Sequence, residues 1–321
     1  MRNIIEEFPK QLVYEPVVEN GEKLKTYQRF VVLGMGGSHL AGDILKVWDP
    51  TLSLSIHSDY GLPKEPLDKE TTLIVAVSYS GNTEEPIDGF EEARAKGLPL
   101  AVIAAGGRLM ELAKEAQVPY VQLTDKSVPP RMALGYMTKS LLALMRRERE
   151  LRDIAKLAQT FNPLQFEEEA KRLAEALRNA VPVVYASAAN TALAMNWKIK
   201  FNETAKIPAF YNVLPELNHN EMNGFDGGEK ARRILGPFHF IFLRDSGDDL
   251  RVQRRMDVLA ELYRERNLPI SEVTISHASP WMKIFGTLIR GDWLAYILAL
   301  FYGHEPAAVP MVEEFKRRIA G

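Results

Sequence analysis

Three hydroxyl side chains, Ser78, Ser80 and Thr83, crowd around Gly81 in the run LIVAVSYSGNTEE (73–85). Apolar residues lead into them and acidic residues follow. The apolar run predicts a strand ending at Ser78. Asn82 or Thr83 is placed to cap the next helix, with Glu85 set as in a capping box begun by Asn82. Pro86 falls in the first turn, where its missing N–H is tolerated, and Gly81 lets the chain turn tightly without a Cβ in the way. A hydroxyl-lined loop feeding a helix N-terminus favours an anion through its free N–H groups and dipole. No lysine or arginine stands in the loop, and the P-loop pattern G-x-x-x-x-G-K-[ST] is absent. Hydroxyls and amides without a lysine suit a monoester phosphate that is held and not transferred. Glu84 and Glu85 compete for the same dipole, so their carboxylates must point away from the ligand. The plainer alternative, turn and cap residues alone, accounts for two of these residues but not for three hydroxyls converging on one glycine.

A second loop of this kind lies in VVLGMGGSHLAGDIL (31–45). Gly34, Gly36 and Gly37 allow backbone to approach a ligand closely, and Ser38 adds a hydroxyl. A dinucleotide fingerprint G-x-G-x-x-G needs glycine at 39, where His39 stands. Asp59 could imitate the ribose-binding acid, but the broken fingerprint leaves dinucleotide binding the lesser reading. His39 reads as a helix-start residue rather than a catalyst.

The second half offers acid–base groups. In NWKIKFNETAKIPAF (196–210), Asn202-Glu203-Thr204 ends a helix otherwise patterned for burial. In LPELNHNEMNGF (214–225), Glu216, Asn218, His219, Asn220 and Glu221 follow a strand. A carboxylate and a histidine near strand ends, facing a phosphate loop, suit proton transfer on a phosphorylated substrate. The alternatives are a helix-end carboxylate for Glu203 and a polar loop for 216–223. The H-x-E at 219–221 is not a metal motif, since no second histidine lies at helical spacing.

The elements that must position these residues alternate along the chain. Apolar runs predict strands over 29–35, 52–57, 72–78, 99–105 and 119–123, separated by helical patterns at 39–48, 84–96, 108–116 and 131–146. Near-continuous apolar strands between helices argue for a parallel sheet covered on both faces. The charged stretch RRERELRDIAK (146–156) reads as a solvated helical connector, which places a domain boundary there. Strands at 181–187, 208–214, 238–244 and 271–277 follow, with helices at 167–179, 190–204, 248–266, 283–302 and 311–319. At 321 residues the chain suits two domains of about 150 residues. The expected fold is α/β: two doubly wound parallel-sheet domains, 1–155 and 156–321.

Composition narrows the function. With 40 basic and 42 acidic residues and a formal net charge of −2, there is no electrostatic footprint for nucleic acid or an anionic membrane. A small anionic ligand remains open, since backbone N–H groups and hydroxyls can build a phosphate site. The chain has no cysteine, so disulfides, thiolate nucleophiles and cysteine-ligated metals are excluded and a cytoplasmic location fits. The start, MRNIIEEFPK, lacks an apolar signal core. The apolar run WLAYILALFYG (293–303) is shorter than the ~20 residues needed to cross a bilayer and reads as a core helix.

The loops GMGGS (34–38) and SYSGNT (78–83) are similar to the sugar-phosphate signatures of SIS (sugar isomerase) domains, a flavodoxin-like fold. FNETAK (201–206), PELNHNE (215–221), PPRMALGY (129–136) and EPAAVPMVEEFKRR (305–318) resemble, in family order, motifs of the bifunctional phosphoglucose/phosphomannose isomerases. The resemblance implies an aldose–ketose isomerase acting on glucose 6-phosphate and fructose 6-phosphate, working through a cis-enediol(ate) and needing no cofactor or metal. It implies a phosphate cradle of Gly36, Gly37, Ser38, Ser78, Ser80 and Thr83. Glu203 becomes the base that moves a proton between C1 and C2, and Arg131 steadies the enediolate. His219 helps open the sugar ring, entering the active site of the partner subunit of a homodimer, and Lys316 assists at the ring oxygen.

Two departures stand out. The family loop usually reads GGSG and here reads GGSH, with His39 beside the phosphate. The position before Pro310 is Val309, where bifunctional members usually carry a threonine linked to accepting mannose 6-phosphate. Valine has no donor or acceptor for a sugar hydroxyl. Two other functions compete: a non-catalytic sugar-phosphate sensor or regulator, for which no DNA-binding or partner-binding module is visible, and an isomerase of another phosphosugar, which would keep the same cradle.

Overall fold

The computed structural model describes residues 1–227 and 233–319. The chain divides into two compact units, Glu7–Asn162 and the pair Met1–Glu6 with Pro163–Gly321. The first helix, α1 (Arg2–Glu6), thus belongs with the carboxy-terminal unit, where Arg2 pairs with Glu167 at 2.9 Å.

The amino-terminal unit is built on β1 (Val18–Glu19), β2 (Arg29–Leu33), β3 (Leu54–His57), β4 (Thr72–Ser78), β5 (Leu100–Ala104) and β6 (Tyr120–Gln122). These form one six-stranded sheet in the order β1-β6-β5-β4-β2-β3. β2 to β6 run parallel, and the two-residue β1, too short to show in the sequence pattern, adds antiparallel to β6. Every residue of β4 and β5 is buried, as continuous apolar strands between two helical layers require. The helices are α2 (Pro9–Val13), α3 (Leu40–Trp48), α4 (Glu84–Ala95), α5 (Gly107–Glu115), α6 (Leu134–Leu144) and α7 (Glu148–Leu157). Val31, Leu33, Ile74, Ala76 and Val102 pack on one face against Phe90 of α4 and Leu109 and Leu112 of α5. The charged stretch expected as a solvated connector is α7. It buries Ile154 and Leu157 and packs on α2 and α6, so it is an amphipathic part of this unit.

The carboxy-terminal unit repeats the winding with β7 (Val181–Ser187), β8 (Phe210–Leu214), β9 (Phe238–Arg244) and β10 (Ile270–Thr274), all parallel, in the order β10-β9-β7-β8. Its further helices are α8 (Glu167–Ala176), α9 (Thr191–Lys200), α10 (Leu250–Glu265), α11 (Pro280–Phe301) and α12 (Pro310–Ile319). Tyr185, Phe240 and Phe242 pack against Met256, Leu259 and Tyr263 of α10. α11 begins three residues before the predicted 283, because Ser279 accepts from the Met282 N–H as an N-cap and Pro280 opens the first turn. At 22 residues α11 is long and apolar enough to cross a membrane, yet 72% of its most apolar window is buried inside this unit. It is the core helix the apolar run predicted, and α9 is fastened to it. Trp197 Nε1 donates to the Thr287 carbonyl at 2.8 Å, and Lys200 Nζ pairs with Asp292 at 2.7 Å, with both side chains buried.

Candidate active site

In the amino-terminal unit the chain reverses its direction of winding between β2 and β4, the neighbouring strands where a doubly wound sheet opens a crevice beyond its carboxyl ends. The glycine loop leaves β2 there and the hydroxyl loop leaves β4. Ser38 Oγ accepts the Tyr79 N–H at 3.1 Å and ties the two loops together. Ser78 Oγ donates to Thr83 Oγ1 at 2.9 Å and accepts the Gly81 N–H at 3.1 Å. Ser80 Oγ accepts the Asn82 N–H at 3.3 Å and lies at the surface. The structure therefore brings Gly36, Gly37, Ser38, Ser78, Ser80 and Thr83 to one strand-end cluster.

Two close approaches depend on missing side chains. Gly81 has φ +77°, and a Cβ there would stand 1.7 Å from the Gly106 carbonyl oxygen. The chain after β5 thus buttresses the hydroxyl loop: the Leu109 N–H donates to the Gly81 carbonyl at 2.8 Å, and the Arg108 N–H to Asn82 Oδ1 at 3.1 Å. Sequence reasoning missed this third loop, although the GGR at 106–108 was its visible mark. At Gly37 a Cβ would come 3.1 Å from the Arg131 nitrogen. The 3₁₀ turn Pro130–Met132 therefore lies against the turn Gly36–Ser38, which sets Arg131 beside the cradle with only 2% of it exposed.

The expected capping box is not formed. Thr83 is the N-cap of α4, but no side chain caps the helix. The Thr83 hydroxyl is engaged by Ser78 and the Asn82 carbonyl oxygen by Arg108. Among the described residues no side chain accepts from the first-turn N–H groups of α4, which strengthens the site for an anion. Glu84 accepts from the Tyr60 hydroxyl at 3.1 Å. Tyr79 turns inward and donates to the Asp125 carbonyl at 2.6 Å, and burial pushes its phenol up to about 12. It anchors the loop. His39 opens α3, as read, with Nδ1 at 2.5 Å from Asp43 Oδ2 one turn on.

In the carboxy-terminal unit the helix predicted through 204 changes character. α9 passes into a π-helical turn, Phe201–Ala205, and the chain leaves it at Lys206 with φ +56°. Single π turns recur at functional sites because they re-aim side chains out of an α-helical register. Glu203 sits in this turn, half-buried, between buried Phe201 and Thr204. Asn202 Nδ2 donates to the Ile207 carbonyl at 3.0 Å, closing the turn. Beyond β8, His219 ends the 3₁₀ turn Glu216–His219, exposed, while Leu217 beside it is fully buried. Lys206 Nζ donates to the Glu305 carbonyl, so the segment leading to α12 passes the π turn. Lys316 lies on α12 with its side chain exposed, and among the described residues α12 buries none of its own.

The second sheet also reverses, between β7 and β9. Among the described residues, the loops there are closed by charged and polar side chains. Asp245 pairs with Lys283 at 2.9 Å, Asn190 Nδ2 donates to Asp245 Oδ2 at 3.0 Å, and Ser187 Oγ donates to Asp248 Oδ1 at 2.6 Å. Burial pushes Asp245 up, but the bonds from Lys283, the Gly247 N–H and Asn190 outweigh it and hold the carboxyl below its usual value. Burial pushes Asp248 up, the Ser187 bond offsets only part of that, and the neighbouring Asp245 adds to the rise. Two carboxyl groups with one lysine make a self-satisfied network that repels phosphate.

Parallel, doubly wound sheets with loops gathered at the reversal define an open α/β class whose ligand crevice lies beyond the carboxyl ends of the strands. Glucosamine-6-phosphate deaminase from Thermotoga maritima has this fold: TM-score 0.67, 16% identity, covering 95% of this chain and 94% of that one. Residues 166–319 match the bacterial phospho-glucose isomerase C-terminal SIS domain. A bifunctional phosphoglucose/phosphomannose isomerase from Caldicellulosiruptor bescii is 30% identical across 99% of this chain and 97% of its own length. A D-glucosamine-6-phosphate 4-epimerase from Sulfolobus acidocaldarius is 31% identical across 69% of this chain and 72% of its own length. The chain belongs to the bifunctional phosphoglucose/phosphomannose isomerase family.

Proposed function

We propose that this isomerase interconverts glucose 6-phosphate and fructose 6-phosphate through a cis-enediol(ate), with the phosphate held by Ser38, Ser78, Ser80, Thr83 and the backbone of Gly36 and Gly37. The observation that supports it most is the uncapped start of α4 beside four clustered hydroxyls. Glu203 is the base. Removing a proton beside a carbonyl needs a carboxylate partly withdrawn from water, and the π turn leaves Glu203 half-buried. Arg131, charged in any pocket, stabilises the oxyanion of the enediolate. His219 moves the proton from O1 to O5 as the ring opens, a transfer suited to imidazole near neutral pH. Lys316 assists at the ring oxygen. We place the enzyme in the cytoplasm as a homodimer in which His219 enters the active site of the partner subunit. Mannose 6-phosphate is the weaker substrate, since Val309 offers its epimeric hydroxyl no hydrogen bond.

The test is Glu203→Gln, assayed by coupled formation of glucose 6-phosphate from fructose 6-phosphate. Turnover falls by about 10²–10⁴-fold, the range of a lost general base, while a competing sugar phosphate still binds. Near-wild-type isomerisation in this variant removes Glu203 as the base, and saturable binding with no turnover in the wild type makes the protein a sensor instead. The likeness to the glucosamine-phosphate epimerase supports a second substrate, an amino sugar phosphate on the same cradle. Parallel assays on glucose 6-phosphate and glucosamine 6-phosphate separate the two.

A further inference from the structure

His219 is exposed, and among the described residues its ring has no hydrogen-bond partner, so its position depends on the backbone that carries it. That backbone is held hard two residues on. Tyr185, fully buried in β7, donates its hydroxyl to Glu221 Oε1 at 2.6 Å. Asn212 on the neighbouring strand β8 donates Nδ2 to the other carboxylate oxygen, Oε2. Tyr263 of α10 places its hydroxyl 3.3 Å from that of Tyr185. Burial, with the neighbouring Tyr263 and the bond to Glu221, pushes the Tyr185 phenol far above its ordinary value, so it remains a donor. Apolar groups peg the same segment on both sides: Leu217 before His219, and Met222 and Phe225 after it, all on the cluster of Phe240 and Tyr263.

The pegs alone would bury the loop. A carboxylate on a buried phenol adds something different, since hydrogen bonds are directional and a buried polar group that loses its partner costs ~1–3 kcal/mol. Apolar contacts permit sliding, whereas two donors from two strands on the two oxygens of one carboxylate permit one placement. We propose that Glu221 is the positioning residue for His219: the clamp from Tyr185 and Asn212 fixes the H-x-E segment so that the imidazole meets the sugar ring. This rests on the ring-opening role of His219. In that step the C1–O5 bond breaks, the O1 proton leaves to the imidazole, and a proton is delivered to O5, so atoms and charge balance without a further reagent. Misplacing a catalytic group by about 1 Å can cost about 10²-fold.

The experiment uses full-length enzyme, Glu221→Gln, Asn212→Ala and His219→Asn, with glucose 6-phosphate and its C2-deuterated form. Glutamine presents an NH₂ to one of the two donors and breaks half the clamp. The expected result for Glu221→Gln is a turnover lower by about 10–100-fold, unchanged inhibition by a competing sugar phosphate, and a C2 isotope effect that shrinks toward unity because ring opening has become limiting. Asn212→Ala, milder on folding, shifts both in the same direction by less, and His219→Asn collapses the isotope effect as well. The proposal is overturned if His219→Asn loses the isotope effect while Glu221→Gln keeps wild-type turnover. It is equally overturned if Glu221→Gln is slow with its isotope effect intact, which is general loosening of the loop. A His219→Asn variant with wild-type turnover and isotope effect removes the ring-opening reading itself.

Discussion

Gly81→Ala tests the cradle with one methyl group. Two costs meet at this position. An L-residue held at φ +77° loses about 1–2 kcal/mol to left-handed strain. The added Cβ would also stand 1.7 Å from the Gly106 oxygen, where real contacts stay beyond 3.0 Å, so one backbone must give way by about 1.3 Å. Overpacking of this kind costs ~1–3 kcal/mol. The movement pulls on the Leu109-to-Gly81 bond and on the Gly81 N–H held by Ser78, and it displaces Ser78, Ser80 and Thr83 from each other. If it costs the phosphate one charge-assisted hydrogen bond of ~1.5–3 kcal/mol, affinity falls by about 10–100-fold. Isothermal titration with a non-isomerisable sugar phosphate measures this, beside thermal unfolding. Gly36→Ala is the control: φ is +52°, but nothing lies within 4 Å of the new Cβ, so the free protein loses only the strain. Thermal destabilisation of Gly81→Ala well beyond that of Gly36→Ala, together with weakened binding, is the expected outcome. Affinity within twofold of wild type in a destabilised Gly81→Ala protein would refute the claim that this loop holds the anion.

Two further outcomes follow from buried charge. Lys200→Met takes the buried cation away from the Asp292 carboxylate, which is 5% exposed, and the loss of one partner of such a pair costs about 3–5 kcal/mol, read by urea unfolding. Wild-type-like stability there would show the pair to be dispensable under α9. Asp245 has a folded-state pKa below its unfolded value, so its stabilisation is present at neutral pH and is lost as pH falls through the folded value. Asp245→Asn is therefore less stable than wild type at pH 7, and the gap closes on acidification below the usual carboxylate range. Asp248 is raised and runs the other way: it favours the folded state at acid pH, and that contribution is lost as pH rises through its folded value. A gap for Asp245→Asn that widens in acid would contradict the assignment.

The regular elements were legible because the central strands of both sheets are continuous apolar runs. β4, β7 and β9 fall where the apolar stretches 72–78, 181–187 and 238–244 begin and end. The hydroxyl loops were legible because Ser78, Ser80 and Thr83 are close in sequence and need little tertiary structure to converge. Features that depend on non-local partners were not. The π turn at Glu203 has no signature in FNETAK read as a helix end, since helical spacing fits both registers. The capping box failed because Asn82 finds Arg108, distant in sequence, and local rules do not count such a competitor. Lys316 was legible only through the family resemblance, because one exposed lysine on a charged helix looks like any other.

The two sheets make the same turn with different contents, and that difference favours the amino-terminal unit as the proposed phosphate site. Each reverses beside its first parallel strand, which leaves a crevice wherever the loops stay small. In the amino-terminal unit they do: Gly36, Gly37 and Gly81 keep side chains out, and the start of α4 has no side-chain cap. In the carboxy-terminal unit the corresponding strand ends carry Ser187 and Asp245, with Asn190, Asp248 and Lys283 closing the network over them. The lysine there is already neutralised and a second carboxyl remains, so the local charge opposes an anion. An architecture used twice thus supplies one candidate cradle. The second sheet is left to carry Glu203 and His219 on the segments that flank β8, where a π turn and a clamped loop, rather than a strand-end crevice, present the two groups proposed above to move protons.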